Sequence, residues 1–593
     1  MSVEKLIVDH METWTSALQT RSTAGRGSSG KIDLYGIKKL RELILELAVR
    51  GKLVPQDPND EPASELLKRI AAEKAELVKQ GKIKKQKPLP EISEEEKPFE
   101  LPDGWEWTTL TRIAEINPKI DVSDDEQEIS FIPMPLISTK FDGSHEFEIK
   151  KWKDVKKGYT HFANGDIAIA KITPCFENSK AAIFSGLKNG IGVGTTELHV
   201  ARPFSDIINR KYLLLNFKSP NFLKSGESQM TGSAGQKRVP RLFFENNPIP
   251  FPPLQEQERI IIRFTQLMSL CDQLEQQSLT SLDAHQQLVE TLLGTLTDSQ
   301  NAEELAENWA RISEHFDTLF TTEASVDALK QTILQLAVMG KLVPQDPNDE
   351  PASELLKRIA QEKAQLVKEG KIKKQKPLPP ISDEEKPFEL PEGWEWCRLG
   401  DLALKSEAGW SPQCENEPRS GNQWGVLKIS AVTWGEYRPQ ENKALPAHLL
   451  PRQEYEVKEN DFLISRANTS ELVARSVVVP ENPPINLMLS DKIIRFEFSS
   501  FANPYYINLV NNSVFSRKYY KDVAGGTSSS MKNVSRNQVS ELVIALPCYK
   551  EQLKITETLK QYMKICEELS SHIQSAQQTQ LHLADALTDA AIN

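Results

Sequence analysis

The apolar positions of this chain follow two different spacings in alternating stretches. Apolar residues three and four positions apart occupy 37–49, 326–338, 256–297 and the chain beyond 548, a spacing that predicts helices with one apolar face. Between these stretches, short β-type runs such as GDIAIAKI at 165–172 alternate with turns. The pattern therefore predicts long helices that separate two compact inserts of α+β or mostly β character.

A shorter helical pattern lies at the start of the chain. One amphipathic helix is predicted over 1–20, and docking of a partner on its apolar side is one interpretation. The residues on that side are Leu6, Ile7, Met11, Trp14 and Leu18. The stretch RSTAGRGSSGK at 21–31 follows, and its glycine and serine content predicts a flexible linker.

A segment of 57 residues occurs twice, beginning at Gly51 and at Gly340, and 51 of the 57 positions are identical. Each copy follows a predicted helix, and its first glycine suits the position after a helix end. A turn, a helix from about Ser64 or Ser353, and the lysine- and proline-rich strap GKIKKQKPLP are common to both copies. The nearly identical frames precede dissimilar inserts, which predicts one mechanical task performed on two different targets.

Similar segments also follow the two inserts. An offset of 295 aligns Glu256-Gln257 with Glu551-Gln552 at the start of two long helical patterns, whose apolar stripes are typical of partner-facing helices. The predicted fold class is α+β, with two α/β domains separated by long antiparallel coiled-coil helices and a pseudo-two-fold internal repeat. The predicted segments are an N-terminal helix and linker (1–36), repeat 1 (37–107), insert 1 (108–250), a central spacer helix (251–325), repeat 2 (326–396), insert 2 (397–547) and a C-terminal spacer helix (548–593).

Composition limits the class of protein. The 593 residues suit about four domain-sized units. Mean hydropathy is −0.45 and no apolar run approaches the roughly 20 residues of a membrane span, so a cytoplasmic location without a membrane partner is expected. The six cysteines are scattered, which predicts free thiols rather than a zinc site.

Charge is distributed unevenly along the chain. The net charge is −11, yet residues 151–250 sum to +8 and residues 511–540 to +4, while residues 271–330 sum to −10. A basic face on one domain attracts phosphate even when the whole chain is acidic. The inserts are therefore candidate nucleic-acid binders, and a solvated basic surface is the alternative.

Each insert closes with a polar, basic loop, at 230–239 and at 525–534. Glycine and serine let backbone N–H groups approach phosphates, lysine and arginine neutralise charge, and glutamine or asparagine can pair with an adenine edge. An ordinary surface turn is the alternative reading. The predicted DNA contacts here are Gln236, Lys237, Arg238, Arg241, Ser530, Lys532, Asn533 and Arg536.

A second polar cluster follows one predicted strand in each insert, where side chains could be presented to a groove of DNA. Its predicted DNA contacts are Lys171, Thr173, Asn178 and Lys180 in insert 1, and Ser465, Arg466 and Asn468 in insert 2. Polar residues at strand ends are common, so this cluster is the weaker of the two signals. Trp410, Trp424 and Trp434 of insert 2 are interpreted as core rather than contact residues.

Three stretches imitate known motifs without the chemistry. The GxxxxGK match at 25–31 is followed by Ile32 where a phosphate-binding loop needs serine or threonine. The Asn-Pro-Pro-Ile tetrapeptide at 482–485 lacks the aromatic residue that stacks on a flipped base. The glycine cluster at 190–194 is interpreted as a turn. No catalytic, cofactor-binding or metal-binding residue is therefore predicted.

Taken together, these motifs resemble the specificity subunit of type I restriction–modification enzymes, in the branch with a repeat before each recognition domain. The resemblance covers nearly all of the chain after about residue 35. The matching motifs are GDIAIAKITPCFENSK (165–180), GVGTTELHVARP (192–203), PIPFPPLQEQERI (248–260), NDFLISRANTSELV (460–473), GTSSSMKNVSRNQV (526–539) and LPCYKEQLKI (546–555).

The resemblance implies that the inserts are target recognition domains, each reading one half of an asymmetric, interrupted sequence in double-stranded DNA. It implies two methylation subunits that carry S-adenosylmethionine, and restriction subunits that use ATP and Mg²⁺ for translocation and cleavage. The chain itself would then catalyse nothing and hold no cofactor. The alternatives are a coiled-coil adaptor that binds proteins rather than DNA, and a self-contained methyltransferase, which the absent motifs disfavour.

Overall fold

The computed structural model describes residues 3–21, 31–84, 91–233, 235–526 and 531–592. The chain forms two compact units, Met1–Leu282 together with Ser575–Asn593, and Asp283–Gln574. Each unit holds one copy of the repeat and one insert. Most of the expected linker at 21–31, with the GxxxxGK match, lies outside the described residues, as does the part of the first strap at 85–90.

The first unit combines helices with the short strands of insert 1. Its helices are α1 (Val3–Asp9), α2 (Met11–Ser16), α3 (Tyr35–Val49), α4 (Ala63–Lys79), α5 (Leu110–Ile113), α6 (Trp152–Val155), α7 (Arg210–Lys218), α8 (Pro220–Ser228), α9 (Arg241–Asn246) and the first part of α10 (Leu254–Asp298). Its strands are β1 (Gln19–Arg21), β2 (Lys31–Asp33), β3 (Glu106–Thr108), β4 (Ala114–Ile116), β5 (Glu128–Ile132), β6 (Glu148–Lys151), β7 (Thr160–Ala163), β8 (Ile167–Ala170), β9 (Ala181–Ile183), β10 (Ile191–Gly194), β11 (Leu198–Pro203) and β12 (Ile249–Phe251).

The second unit repeats this plan. Its helices are α11 (Ala302–Glu314), α12 (Phe316–Leu319), α13 (Glu323–Val338), α14 (Ala352–Lys368), α15 (Leu399–Leu402), α16 (Pro504–Asn512), α17 (Val514–Val523), α18 (Arg536–Ser540) and most of α19 (Tyr549–Ile592). Its strands are β13 (Glu395–Arg398), β14 (Ala403–Ala408), β15 (Gly425–Leu427), β16 (Asn442–Ala444), β17 (Phe462–Ser465), β18 (Ala467–Asn468), β19 (Ser476–Val478), β20 (Leu487–Met488), β21 (Ile493–Phe498), β22 (Lys532–Asn533) and β23 (Val543–Leu546). The chain therefore contains two α/β domains with a long helix between them in sequence, as predicted.

Insert 1 contains two four-stranded sheets, in the orders β6-β5-β10-β7 and β4-β11-β8-β9. Strand β10 pairs parallel with β5 and antiparallel with β7, so the expected turn at 190–194 is wrong and the stretch is a central strand. Its glycines fit because any side chain would collide: a Cβ at Gly192 would meet the ring of Phe162, and one at Gly194 would lie 2.8 Å from the Ile132 carbonyl oxygen. The turn itself is confined to Lys188–Gly190.

Insert 2 is built from a four-stranded sheet, β14-β21-β17-β19, and a three-stranded sheet, β16-β15-β20. Its three tryptophans do not all enter the core, contrary to expectation. Trp410 and Trp424 are half-buried against Val426, whereas Trp434 is 44% exposed. Trp434 is therefore a surface residue of the insert.

The helices that precede the two repeats bury the predicted apolar faces. In α3, Leu40 and Ile44 have no exposed surface. The helix is followed by Gly51 at φ 68°, and a Cβ there would lie 2.5 Å from Cγ of Pro102, so only glycine suits this close approach. Gly340, at φ 71°, occupies the same position after α13 and approaches Pro391 in the same way.

The N-terminal segment differs from the expected single helix over 1–20. It forms two short helices, α1 and α2, and then strand β1, which pairs with β2. The apolar stripe is covered by the unit's own helices: Trp14 is fully buried, and Ile7 lies in the same core as Ile37 and Ile260. Because this stripe is already covered, docking of a partner on it is no longer supported.

The central helix is shorter than the expected segment 251–325. Helix α10 ends at Asp298, close to the end of the helical pattern at 297, and α11 and α12 follow. Their apolar residues Ile312 and Phe320 are buried with Val289 and Leu329 of the same unit. This stretch therefore adds to the helical core of the second unit rather than extending α10.

Each repeat is fixed to a long helix by the same buried contact. In the first unit, the indole N–H of Trp105 donates to Oε2 of Glu256 at 3.0 Å, and the Gln56 amide donates to Oε1 at 3.0 Å. Burial raises the pKa of the Glu256 carboxyl. The matching contact in the second unit joins Trp394 and Gln345 to Glu551, at 3.0 Å each.

The next residue of each long helix fixes the insert. The Gln257 side chain accepts from the backbone N–H of Asn209 at 3.2 Å and donates to the carbonyl of Pro252 at 2.9 Å. Gln552 makes the same two bonds, with Asn503 at 2.8 Å and Pro547 at 3.1 Å. The glutamate-glutamine pair that recurs in the sequence thus positions each insert on its frame.

Candidate nucleic-acid interface

The two polar clusters of insert 1 lie side by side. Residue Ile172 forms an antiparallel bridge with Arg238, and the backbone N–H of Thr173 donates to the carbonyl of Lys237 at 3.0 Å. The backbone N–H of Val239 donates in turn to the carbonyl of Lys171 at 2.8 Å. The strand-exit segment and the described part of the basic loop therefore form one continuous polar surface, called surface 1 (171–180 with 231–233 and 235–239).

Insert 2 builds the same surface at an offset of 295. Ala467 pairs with Asn533 and Asn468 pairs with Lys532, as strands β18 and β22. The backbone N–H of Val534 donates to the carbonyl of Arg466 at 2.9 Å. This surface, called surface 2 (465–474 with 525–526 and 531–536), has the same segment-to-loop pairings as surface 1 but different side chains.

The basic loops, called loop 1 (230–239) and loop 2 (525–534), are each closed by a pair of backbone hydrogen bonds. Thr231 and Arg238 exchange backbone hydrogen bonds of 3.0 and 2.8 Å in insert 1, and Gly525 and Asn533 exchange two of 2.9 Å in insert 2. Between these closing pairs, insert 1 has six residues and insert 2 has seven. The second loop thus differs from the first in length as well as in composition.

Several predicted contact residues are exposed on these surfaces. They are Asn178, Gln236 and Lys237 in insert 1, and Arg466, Asn533 and Arg536 in insert 2. Among the residues that the structure describes, the side chains of Gln236, Lys237 and Arg466 have no hydrogen bond or ion pair with the protein. These groups are therefore available to a ligand.

Other predicted contact residues are engaged within insert 1. Arg238 forms a bidentate ion pair with Glu197, with both N–O distances 2.9 Å, and its guanidinium lowers the pKa of that carboxyl. Arg241 binds Glu245 at 2.7 Å, and the ammonium of Lys180 donates to the carbonyl of Met134 at 2.9 Å. Arg238 and Lys180 therefore help to build surface 1.

Three predicted contact residues of insert 2 are also engaged within the protein. The expectation that Ser465 is presented to DNA is wrong, because the residue is fully buried and its hydroxyl donates to the carbonyl of Leu472 at 3.1 Å. The Asn468 amide donates to Thr433 at 3.3 Å, and the Lys532 ammonium donates to the carbonyl of Gly526 at 2.8 Å. Ser530 lies outside the described residues.

Two residues near the loops were missed by the sequence reasoning. His199 stacks on Phe244, with ring centroids 5.1 Å apart, and its Nε2 lies 3.1 Å from the carbonyl of Val239 at the base of loop 1. Burial lowers the pKa of His199 to about 4, so at neutral pH the ring is uncharged. Met531 of loop 2 is 56% exposed. No motif marks either residue, because their roles depend on pairing between distant segments.

The structure also bears on chemistry other than DNA binding. The six cysteines are free thiols, as predicted. Within the described ranges, no group of three or more histidine, cysteine, aspartate or glutamate residues is arranged to hold a metal ion. Over the same residues, no helix is long and apolar enough to span a bilayer. Ile485, which stands where the tetrapeptide at 482–485 would need an aromatic residue, has a side chain that is 66% exposed.

Comparison with known proteins gives consistent matches. The family model described as type I restriction modification DNA specificity domain matches residues 102–284 and 391–576. The EcoAI specificity subunit of Escherichia coli, a type I restriction enzyme subunit, is 75% identical over 599 residues, and the EcoEI specificity subunit is 70% identical over 595, each covering 100% of both chains. A solved chain from a structure of the type I R-M system covers 84% of this chain and 99% of its own length, at 16% identity and a TM-score of 0.47.

Proposed function

We infer the task of each part of this chain from one premise: the chain belongs to the family of type I restriction–modification DNA specificity subunits. It is therefore the DNA sequence-recognition subunit of such a system and is not itself an enzyme. Its partners are DNA and the modification and restriction subunits of the system. The subunit needs no cofactor of its own.

Insert 1 and insert 2, over 108–250 and 397–547, each read one half of an asymmetric, interrupted DNA target. The observation that carries this proposal is the match between surface 1 and surface 2. The pairing between the strand-exit segment and the loop agrees at the offset of 295, yet Gln236 of the first loop corresponds to Met531 of the second. Equivalent platforms with different side chains suit two different base sequences.

The residues that we assign to direct DNA contact divide by chemistry into two groups. Lysine and arginine neutralise phosphates and add affinity at every sequence, a task for Lys237, Lys532, Arg466 and Arg536. Amide and apolar side chains read base edges: Gln236, Asn178 and Asn533 suit adenine, and Met531 suits the thymine methyl group. Lys171, Thr173, Lys180, Arg238, Arg241 and Asn468 hold the surfaces in shape or approach the backbone of DNA at their edges.

The remaining parts of the chain arrange the two reading domains. The repeats at 37–107 and 326–396 bind two methylation subunits, since two nearly identical frames offer two equivalent docking sites. Those subunits carry S-adenosylmethionine, and restriction subunits supply the ATP- and Mg²⁺-dependent steps. The long helices set the gap between the half-sites. The complex works in the cytoplasm, because its DNA substrate is there.

The test is to map methylated bases in cells that express the methylation subunits with and without this chain. We expect an interrupted, asymmetric motif that appears only when the chain is present, because sequence choice resides in it. A chain lacking both loops, 231–238 and 525–533, serves as the matched control and should give no motif. An assembled and active methylation complex that leaves no new mark with the intact chain would instead support a protein-binding adaptor.

A further inference from the structure

Each strand-exit segment ends at a residue whose backbone is left-handed. Ser179 has φ 52° and Ala474 has φ 58°, and the two positions match at the offset of 295. Residues with a Cβ seldom adopt this conformation, so the surrounding structure must hold it in place. The carbonyl of each residue is held by a buried donor from the helix that follows.

In insert 1 that donor is the ammonium of Lys218, the last residue of α7. The side chain is only 2% exposed, and Nζ donates to the carbonyl of Ser179 at 2.7 Å and to that of Thr139 at 3.3 Å. Burial lowers its pKa to about 7, with Asp142 acting in the opposite direction. A buried ammonium is costly unless it is well bonded, so these two carbonyls account for its presence.

In insert 2 the donor is the neutral amide of Asn511 on α16. The residue has no exposed surface, and Nδ2 donates to the carbonyl of Ala474 at 2.9 Å and to Oγ of Ser476 at 2.8 Å. Its Oδ1 accepts from the hydroxyl of Tyr520 at 2.7 Å. A different side chain, one position earlier in the equivalent helix, therefore holds the matching carbonyl.

We propose that Lys218 and Asn511 are positioning residues for DNA reading, each fixing the far end of the strand-exit segment that supports the base-reading side chains of its insert. The proposal rests on the proposed function. Lys218 fixes the segment 171–180, which carries Asn178, and Asn511 fixes the segment 465–474, in which Ala467 pairs with Asn533 of the loop. Base recognition needs side chains held in one geometry, so a released segment should lose discrimination while phosphate binding persists.

The test measures the specification of each half-site separately. The full chain, assembled with its methylation subunits, is given a DNA library with randomised target positions, and the methylated products are sequenced. Lys218→Met keeps the length of the side chain but removes the donor. We expect base preference to fall at least about fivefold in one half-site only, the lower end of what one bidentate base contact contributes.

Two further variants separate positioning from general damage. Lys218→Gln restores an amide donor of the kind used in insert 2, and should recover part of the lost preference. Asn511→Leu should degrade the other half-site and leave the first intact. Thermal unfolding of Lys218→Met should show only a modest loss of stability, because removal of the desolvated ammonium offsets part of the cost of leaving two carbonyls without a donor.

The possible results separate failure of the positioning role from failure of the proposed function. Lys218→Met with both half-sites unchanged, or with both degraded equally, overturns the positioning role. Failure of Lys218→Gln to recover any preference also overturns it, because the donor would then not be what matters. If the unaltered chain specifies no interrupted target at all, the proposed function fails instead, whatever the variants do.

Discussion

Neighbouring side chains of the same charge are engaged differently on surface 1. Arg238 and Lys237 are neighbours in a basic loop, and by residue type both suit a phosphate. The structure separates them: Arg238 is bidentate with Glu197, whereas Lys237 is exposed and forms no ion pair among the described residues. The acidic partner lies 41 residues away in sequence, immediately before strand β11. Charge alone therefore overstates how many cations a loop offers to DNA.

Removing the available cation should weaken binding to every duplex. We expect Lys237→Ala to reduce affinity for specific and random DNA alike, and to lower the slope of log affinity against log salt by about one, since each phosphate contact contributes roughly 0.9. Lys532→Ala should act in the same direction from insert 2. The measurement is a titration of labelled duplex with the assembled complex at several salt concentrations.

Two control variants are titrated in the same way as Lys237→Ala. Lys564→Ala removes a lysine whose side chain is 77% exposed on α19, outside both loops and both repeats, and should leave the slope unchanged. Gln236→Ala should lower preference for the specific duplex without changing the slope, because an amide neutralises no phosphate. Equal losses on specific and random duplex after Gln236→Ala would end its assignment as a base reader.

The sequence predicted part of this surface well and part of it poorly. The alignment of Lys237 with Lys532 at an offset of 295 identified both loops, and the structure places the two lysines in equivalent pairings. Burial was not foreseen: Ser465 is the last residue of strand β17, and its hydroxyl is bonded inside the insert. Whether a polar residue at a strand end is presented or buried depends on the segment that covers it, which local sequence does not specify.

The loops depend on glycine at one equivalent point. Gly232 has φ 127° and Gly526 has φ 119°, and a Cβ at Gly526 would collide with the carbonyl oxygen of Met531. The neighbouring Gly525 has open space where its Cβ would be and no left-handed φ. The two adjacent glycines of loop 2 thus form a natural comparison.

Gly526→Ala should therefore distort loop 2, while Gly525→Ala should not. We expect Gly526→Ala to reduce base preference in one half-site by at least about fivefold, because the loop can no longer close over its pairing with β18. Sequencing of methylated products from a randomised target library gives this value for both variants. If the two variants behave alike, the conformation of Gly526 does not govern reading by this loop.

Elements with strong periodicity were predicted better than those that depend on distant pairing. The helices α3, α4, α10 and α19 agree with the apolar spacing to within a few residues. Strand β10 was missed, because glycines are rare in strands and those at 192 and 194 are there to make room for Phe162 and for the backbone of β5. The break between α1 and α2 was likewise invisible, since the apolar stripe continues through it.

The repeated frame explains how two different inserts share one chain. In each unit a tryptophan, a glutamine and a glutamate form the same buried contact at the same distances, and the next glutamine holds the insert. These residues belong to the repeated segments, not to the reading surfaces. Because the attachment is constant, the reading surfaces are free to differ, which fits 51 identical positions in 57 followed by inserts with little sequence in common.

The same separation of tasks makes the length of the long helices a testable variable. Four alanines inserted after Gln277 in α10, together with four after His572 at the matching position of α19, add about 6 Å to each helix. That length is nearly two base pairs at roughly 3.4 Å each. We expect the gap of the methylated motif to grow by one or two base pairs while both half-site sequences stay the same, as read by mapping methylated bases.

A control variant introduces four alanines without extending the helix: residues 278–281 of α10, of which 279–281 are exposed, are replaced by alanine. This variant should keep the original gap, because the helix has the same rise and alanine favours helix. An unchanged gap in the extended variant, with methylation intact, would show that the helices are not the spacer. A change in the base sequence of either half-site would show instead that the helices contribute to base reading, since neither surface 1 nor surface 2 is altered by the insertion.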